Sequence, residues 1–134
     1  MGTNYFLHSQ KCPHCGIERK DKMHLGKSSV GWCFSLHVYP ELELNDWDGI
    51  LKYIRFCLAE YGYRIENEYG DQISLTDFVK IVTERGHFRP WDQNKLFANR
   101  AAQGPNNLAR HIIDDWHCIG HGEGTYDYII GEFS

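Results

Sequence analysis

CPHCGIERKDKMHLGKSSVGWCFSLH, residues 12–37, decides how this chain is held together. Cys12-Pro13-His14-Cys15-Gly16 is a C-x2-C-G knuckle, a tight turn that aims two thiolates at one point. A structural zinc takes four ligands, so two more must come from His8, His14, His24, Cys33 or His37. Strand geometry selects among them. Met23 to Ser29 and Trp32 to Tyr39 read as strands joined at Val30-Gly31, a two-residue turn with glycine second. That register sets Ser29 opposite Trp32, Leu25 opposite Leu36 and His24 opposite His37. Opposed residues hold their Cβ atoms roughly 4.5–5.5 Å apart, close enough for two imidazoles to share one ion.

Cys33 lies four residues from His37 on the same strand, about 13 Å at roughly 3.3 Å per residue. Both cannot bind one ion while the strand is regular. His14 sits inside the knuckle and points outward, and His8 stands in reserve. The expected ligands are therefore Cys12, Cys15, His24 and His37 around a structural Zn²⁺, a closed site with no position left for water. The spacing differs from that of a DNA-reading finger, which ends in H-x3–5-H on a helix. A redox reading of the cysteine pair lacks its βαβ setting. A one-residue slip of register would turn one histidine to the opposite face.

Composition bounds the rest. With 134 residues, 42% hydrophobic and 14% aromatic, the chain is expected to form one domain, 1–134. Within it, 1–40 is a zinc-pinned β-meander and 41–134 an α+β remainder. Five cysteines, partly consumed by zinc, suit a reducing cytoplasm. No apolar run approaches the ~18 residues of a membrane span and no signal peptide precedes Asn4, so no membrane partner is expected. Residues 1–40 hold five Lys or Arg against two Asp or Glu, a balance of +3, and the remainder holds nine against sixteen, or −7. A +3 surface is more simply a solvated one than a nucleic-acid footprint.

The fold class expected is α+β: antiparallel hairpins with two main helices, at about 46–61 and 75–85, on one face. Thr3 to Leu7 is a strand antiparallel to 23–29. Gly26-Lys27-Ser28-Ser29 contains G-K-S, but Asp21 stands where a phosphate loop needs glycine. Asn45 or Asp46 caps the first helix, whose stripe is Trp47, Leu51, Ile54 and Leu58, and Gly62 stops it. Tyr63 to Ile73 is a second hairpin around Tyr69-Gly70-Asp71. Ser74-Leu75-Thr76-Asp77 opens the second helix, with Ile73 and Phe78 placed as a hydrophobic staple. His111 to Ser134 closes the fold as a hairpin turning at Gly120, Gly122 and Gly124.

Two stretches carry chemistry. His87 to Arg110 shows no clean period, and Phe88, Arg89, Trp91, Phe97, Arg100 and Arg110 mix aromatics with cations. Such a mixture suits stacking and phosphate contact, although a loop pinned to the core by aromatic anchors is the plainer reading. Trp91, Arg100 and Arg110 are the expected partner-binding residues. In the C-terminal stretch, His111, Asp115, His117 and His121, with Asp114 beside them, are acid–base or metal material. On a strand His117 and His121 stand about 13 Å apart, which favours satisfied polar residues near a turn over a second metal site.

The chain resembles a family of small uncharacterised proteins of tailed bacteriophages. The matching runs are Gly2-Thr3-Asn4-Tyr5, Cys12-Pro13-His14-Cys15-Gly16, His24 to Trp32, Leu36-His37, Glu68-Tyr69-Gly70, Gly104-Pro105-Asn106, His117 to Thr125 and Gly131-Glu132-Phe133-Ser134. The resemblance implies a phage origin and action in the cytoplasm of an infected bacterium, and it transfers no catalytic residue. The expected function is an accessory protein that binds and modulates a host factor, such as a defence or transcription component, without turnover. The alternatives are a metal-dependent hydrolase or nuclease using the C-terminal His and Asp residues, and a nucleic-acid or nucleotide binder. Convergence of His111, His117 and His121 on a concave pocket with a carboxylate favours the enzyme, and a flat aromatic face favours the binder.

Overall fold

A computed structural model of the protein describes residues 2–8, 22–114 and 117–130. Its strands are β1 (Gly2–His8), β2 (Lys22–Ser29), β3 (Phe34–His37), β4 (Arg64–Asn67), β5 (Gln72–Ile73), β6 (Ala101–Gln103), β7 (Ala109–His111), β8 (Cys118–His121) and β9 (Tyr126–Ile129). Its α-helices are α1 (Trp47–Tyr61), α2 (Leu75–Thr83) and α3 (Gln93–Ala98). Seven strands form one sheet in the order β5-β4-β1-β2-β3-β9-β8, and β6 pairs with β7 apart from it. β3 and β9 run parallel, and the other described pairs of the large sheet are antiparallel. The class is α+β, as the alternation of hairpin and helix signals predicts.

Local chemistry sets the helix ends. The Asp46 carboxylate accepts the Gly49 N–H at 2.8 Å and starts α1, and Gly62, at φ +64, ends it in the left-handed region that glycine enters without penalty. The Ser74 hydroxyl accepts the Asp77 N–H at 3.1 Å and starts α2. Both helices bury their apolar stripes on one face of the sheet. Ile50, Ile54 and Cys57 from α1 and Phe78 and Val82 from α2 join Leu7, Leu25, Phe34, Leu36 and Ile65 in a single core. Phe78 meets Phe34 edge to face, with centroids 5.9 Å apart. Burying each such ring contributes about 1.5–3 kcal/mol.

The stretch from His87 to Arg110 is more ordered than its sequence indicates. Asp92 caps α3 by accepting the Asn94 N–H at 2.7 Å, and a helix of six residues is too short to establish a period. Gly104 to Asn107 then turns the chain from β6 to β7, with Asn106 and Asn107 both at positive φ. The β6–β7 hairpin covers the face of the sheet opposite α1 and α2: Arg110 and His111 of β7 both reach Asp127, which faces Ser35 across β9 and β3. Among the described residues no helix is long and apolar enough to cross a membrane.

Candidate functional site

Two places on that second face bring together residues with chemistry. The first is the pair His24 and His37. β2 and β3 pair as Gly26 with Leu36 and Lys27 with Ser35, one residue away from the register expected from a two-residue turn, which places Leu25 opposite Leu36. The slip alone would turn His24 towards the core. A β-bulge undoes it. The β1–β2 pairing passes from Tyr5 opposite Gly26 to Phe6 opposite His24, leaving Leu25 as an extra residue. Leu25 and Gly26 both lie on the core side, and His24 returns to the face of Phe6 and His37.

The two imidazoles stand with centroids 5.5 Å apart at 78°. His24 Nε2 lies 2.9 Å from Asn4 Oδ1, and His37 Nδ1 lies 3.0 Å from the Val38 carbonyl oxygen. Each contact suits a ring N–H donating to oxygen, the outer hydrogen bond that fixes the tautomer of a metal-ligating histidine. Burial, with the neighbouring His37 charge second, lowers the His24 pKa to about 4 and keeps its imidazole neutral, the form that ligates metal. Cys12 and Cys15 lie outside the described residues. Among the described residues no three His, Cys, Asp or Glu side chains are placed to hold a metal ion, so a metal here would need ligands from outside the described residues. Cys33 is buried instead at the β6–β7 hairpin, its N–H donating to the Ala109 carbonyl at 2.9 Å.

The second place is a cavity of about 830 Å³ between the end of α3 and the connection from β7 to β8. Phe97 to Ala101 line one side, and His111, Ile112, Asp114, His117 and Cys118 line the other. His111 is held at three points. Its ring packs on Trp32 at 5.1 Å, its Nδ1 lies 3.1 Å from Asp127 Oδ2, and its backbone N–H donates to the same oxygen at 3.0 Å. Asp127 is fully buried, and Arg110 balances its charge by donating from Nε to Oδ1 at 2.7 Å. With Nδ1–H donated to the carboxylate, His111 Nε2 is the nitrogen able to accept a proton. The His117 ring stands 6.0 Å from that of His111, at 69°.

The neighbours of this pair are assigned by their contacts. Asp114 turns its carboxylate onto the backbone N–H groups of His117 and Cys118, at 2.8 and 3.0 Å. Burial pushes the Cys118 thiol up to about 11, which makes it a poor nucleophile. Arg100 borders the cavity at φ +53, a left-handed conformation that costs a non-glycine residue free energy. Its guanidinium forms no ion pair among the described residues.

The sequence expectations divide accordingly. Of His111, Asp115, His117 and His121, the fold brings together His111 and His117. His121 turns back, its Nε2 2.6 Å from the His111 carbonyl oxygen, and Asp115 lies outside the described residues. Of the expected partner-binding residues, Arg100 is exposed, and Trp91 and Arg110 are partly buried. Trp91 is an anchor whose indole N–H donates to the Gly31 carbonyl at 2.8 Å. Arg110 points inward, with Nη2 donating to the Gly124 and Tyr126 carbonyls at 2.7 and 3.1 Å. Sequence reasoning missed Asp127, and the available signal was a carboxylate set between two tyrosines in a strand with a buried pattern. Comparison of the chain with protein-family models, curated proteins and solved structures found no match.

Proposed function

We propose that this protein is an acid–base hydrolase whose site is the cavity between α3 and the β7–β8 connection. The observation that carries the reading is the His111–Asp127 contact at the cavity wall, 3.1 Å long and buried on the Asp side. A carboxylate bonded to Nδ1 holds an imidazole in the tautomer and orientation of a general base. His111 then takes a proton from the attacking hydroxyl, His117 returns one to the leaving group, and Arg100 holds an anionic part of the substrate. Positioned proton transfer of this kind is worth roughly 10²–10⁴ in rate. Two histidines on one concave wall, one of them held from behind by a buried carboxylate, support an enzyme over a protein that binds without turnover.

We further propose that a Zn²⁺ held by Cys12, Cys15, His24 and His37 staples β1, β2 and β3 together, a structural role remote from turnover. The facing imidazoles and their hydrogen bonds to oxygen support it. Capture of a host macromolecule stays as a second reading, favoured by the exposed apolar side chains of Phe97 and Ile112 at the same cavity. The test is a panel of chromogenic carboxylic, phosphomonoester and phosphodiester substrates. Turnover of at least one, lost in His111→Asn with the circular-dichroism spectrum unchanged, is expected. Turnover of none, together with His111-independent capture of a host protein, would replace the enzyme by the binder.

A further inference from the structure

Resting on that acid–base reading, we propose that the substrate is single-stranded RNA, cleaved through attack of its own 2′-hydroxyl on the adjacent phosphodiester. Among the described residues that line the cavity, none is a serine or threonine, and the one thiol, Cys118, is buried. The attacking oxygen therefore comes with the substrate or from water. A ribose 2′-hydroxyl is already adjacent to phosphorus, so its attack gains from proximity without any binding cost for a second reactant. It also needs only what the two histidines supply, one base and one acid with ring centroids 6.0 Å apart, a separation that lets both reach one phosphoryl group.

Arg100 presents a guanidinium with no ion pair among the described residues at the cavity edge, on a backbone held at φ +53. Guanidinium matches phosphate oxygens in a bidentate geometry. Phe97, three residues earlier, lines the same cavity with 88% of its surface exposed. A large apolar ring left in water beside a free cation is the pairing that stacks a base and holds its phosphate. Stacking on a protein ring requires an unstacked base, hence a single strand. A volume of about 830 Å³ is within the usual range of ligand sites and accommodates more than one nucleoside.

The step balances within the substrate and the two rings. His111 Nε2 takes the 2′-hydroxyl proton while the 2′-oxygen forms a bond to phosphorus. The bond from phosphorus to the 5′-oxygen breaks, and that oxygen leaves with a proton from His117. Arg100 neutralises charge on the non-bridging oxygens. The products are a 2′,3′-cyclic phosphate and a 5′-hydroxyl, and the rings exchange their protons back through solvent.

The experiment uses the full-length protein with uridylyl-3′,5′-adenosine and its 2′-deoxyuridine analogue, followed by chromatography and mass spectrometry. Cleavage of the ribo compound to a uridine 2′,3′-cyclic phosphate is expected, with the deoxy compound intact. His111→Asn, prepared identically, should lower the rate about 10²–10⁴-fold, and Phe97→Ala should raise KM about tenfold to a hundredfold. Asp127→Asn tests positioning through the pH profile, whose acid-side limb, set by the base His111, should shift while KM holds. Equal cleavage of the deoxy compound would overturn the 2′-hydroxyl step. An intact ribo compound alongside His111-dependent turnover of a chromogenic ester would overturn RNA as substrate and leave the hydrolase standing. Absence of any His111-dependent turnover on either set would overturn both.

Discussion

His24 and His37 meet on one face of the sheet, centroids 5.5 Å apart, although β2 and β3 pair one residue out of the register that their turn implies. Two deviations cancel. The slip moves Leu36 from Leu25 to Gly26, and the bulge at Leu25 restores the facing of every residue N-terminal to it. The pair of imidazoles therefore depends on one glycine. Gly26 adopts φ +153, and a Cβ there would stand 2.3 Å from the Ser35 carbonyl oxygen and 2.4 Å from Phe34 Cε1.

Gly26→Ala should accordingly destabilise the protein by about 3 kcal/mol or more, from backbone strain together with overpacking against β3. Relief of the clash requires loss of the bulge, which turns His24 away from His37. A denaturant titration and zinc analysis of the same sample check both consequences. Wild-type stability with full zinc content would remove the bulge from the account of the site.

Chelation should expose two thiols and no more. Cys33, Cys57 and Cys118 are buried. Burial, helped by the Asp127 charge, raises the Cys33 pKa to about 11, burial raises Cys118 to about 11, and burial raises Cys57 as well. A raised thiol pKa means the protonated form prevails, and at pH 8 a group with pKa near 11 is about 0.1% thiolate and reacts slowly. Native zinc-loaded protein should resist iodoacetamide, and chelator should add two alkyl groups, at Cys12 and Cys15. Apparent zinc-binding free energies of about 10–16 kcal/mol in small peptides predict that amide protection of β1 and β2 falls in the same experiment. Two fast-labelling cysteines before chelation, or protection that survives it, would contradict the staple.

What the sequence made legible was local. The turn at Val30-Gly31, the hairpin around Tyr69-Gly70-Asp71, the caps Asp46 and Ser74 and the stop at Gly62 each act within a few residues, and each lies where its chemistry requires. The parallel pairing of β3 with β9 and the insertion of β1 between β2 and β4 depend on contacts across the whole chain, which no local pattern encodes. For the same reason the candidate site was half legible. His111 and His117 stood out by residue type, but the carboxylate that orients His111 lies sixteen residues away on another strand. Arg100 and Arg110 read alike as cations beside aromatics, and only packing separates a surface guanidinium from a buried one.

The cap of α2 gives a small, clean test. Ser74→Ala removes the oxygen that accepts the Asp77 N–H at 3.1 Å and should cost about 1 kcal/mol. Ser74→Asp should restore most of that, because an anionic acceptor also favours the helix N-terminus. Chemical denaturation of the three proteins side by side decides it.

The two arginines should part company on substitution. Arg100 is exposed and unpaired among the described residues, so Arg100→Ala should change stability by no more than about 0.5 kcal/mol. Arg110 keeps only 14% of its side chain exposed and is the cation closest to a carboxylate that is wholly buried. Arg110→Ala leaves the buried Asp127 carboxylate without its balancing charge, and breaking one side of a buried pair costs about 3–5 kcal/mol. The carbonyls of Gly124 and Tyr126 lose a donor as well. The loss should extend to His111, since a displaced Asp127 no longer fixes its ring, and the imidazole NMR signals of His111 should broaden or move in Arg110→Ala while staying in place in Arg100→Ala. Equal stability of the two variants, or an unmoved His111 in the first, would show that Asp127 does not couple Arg110 to the cavity.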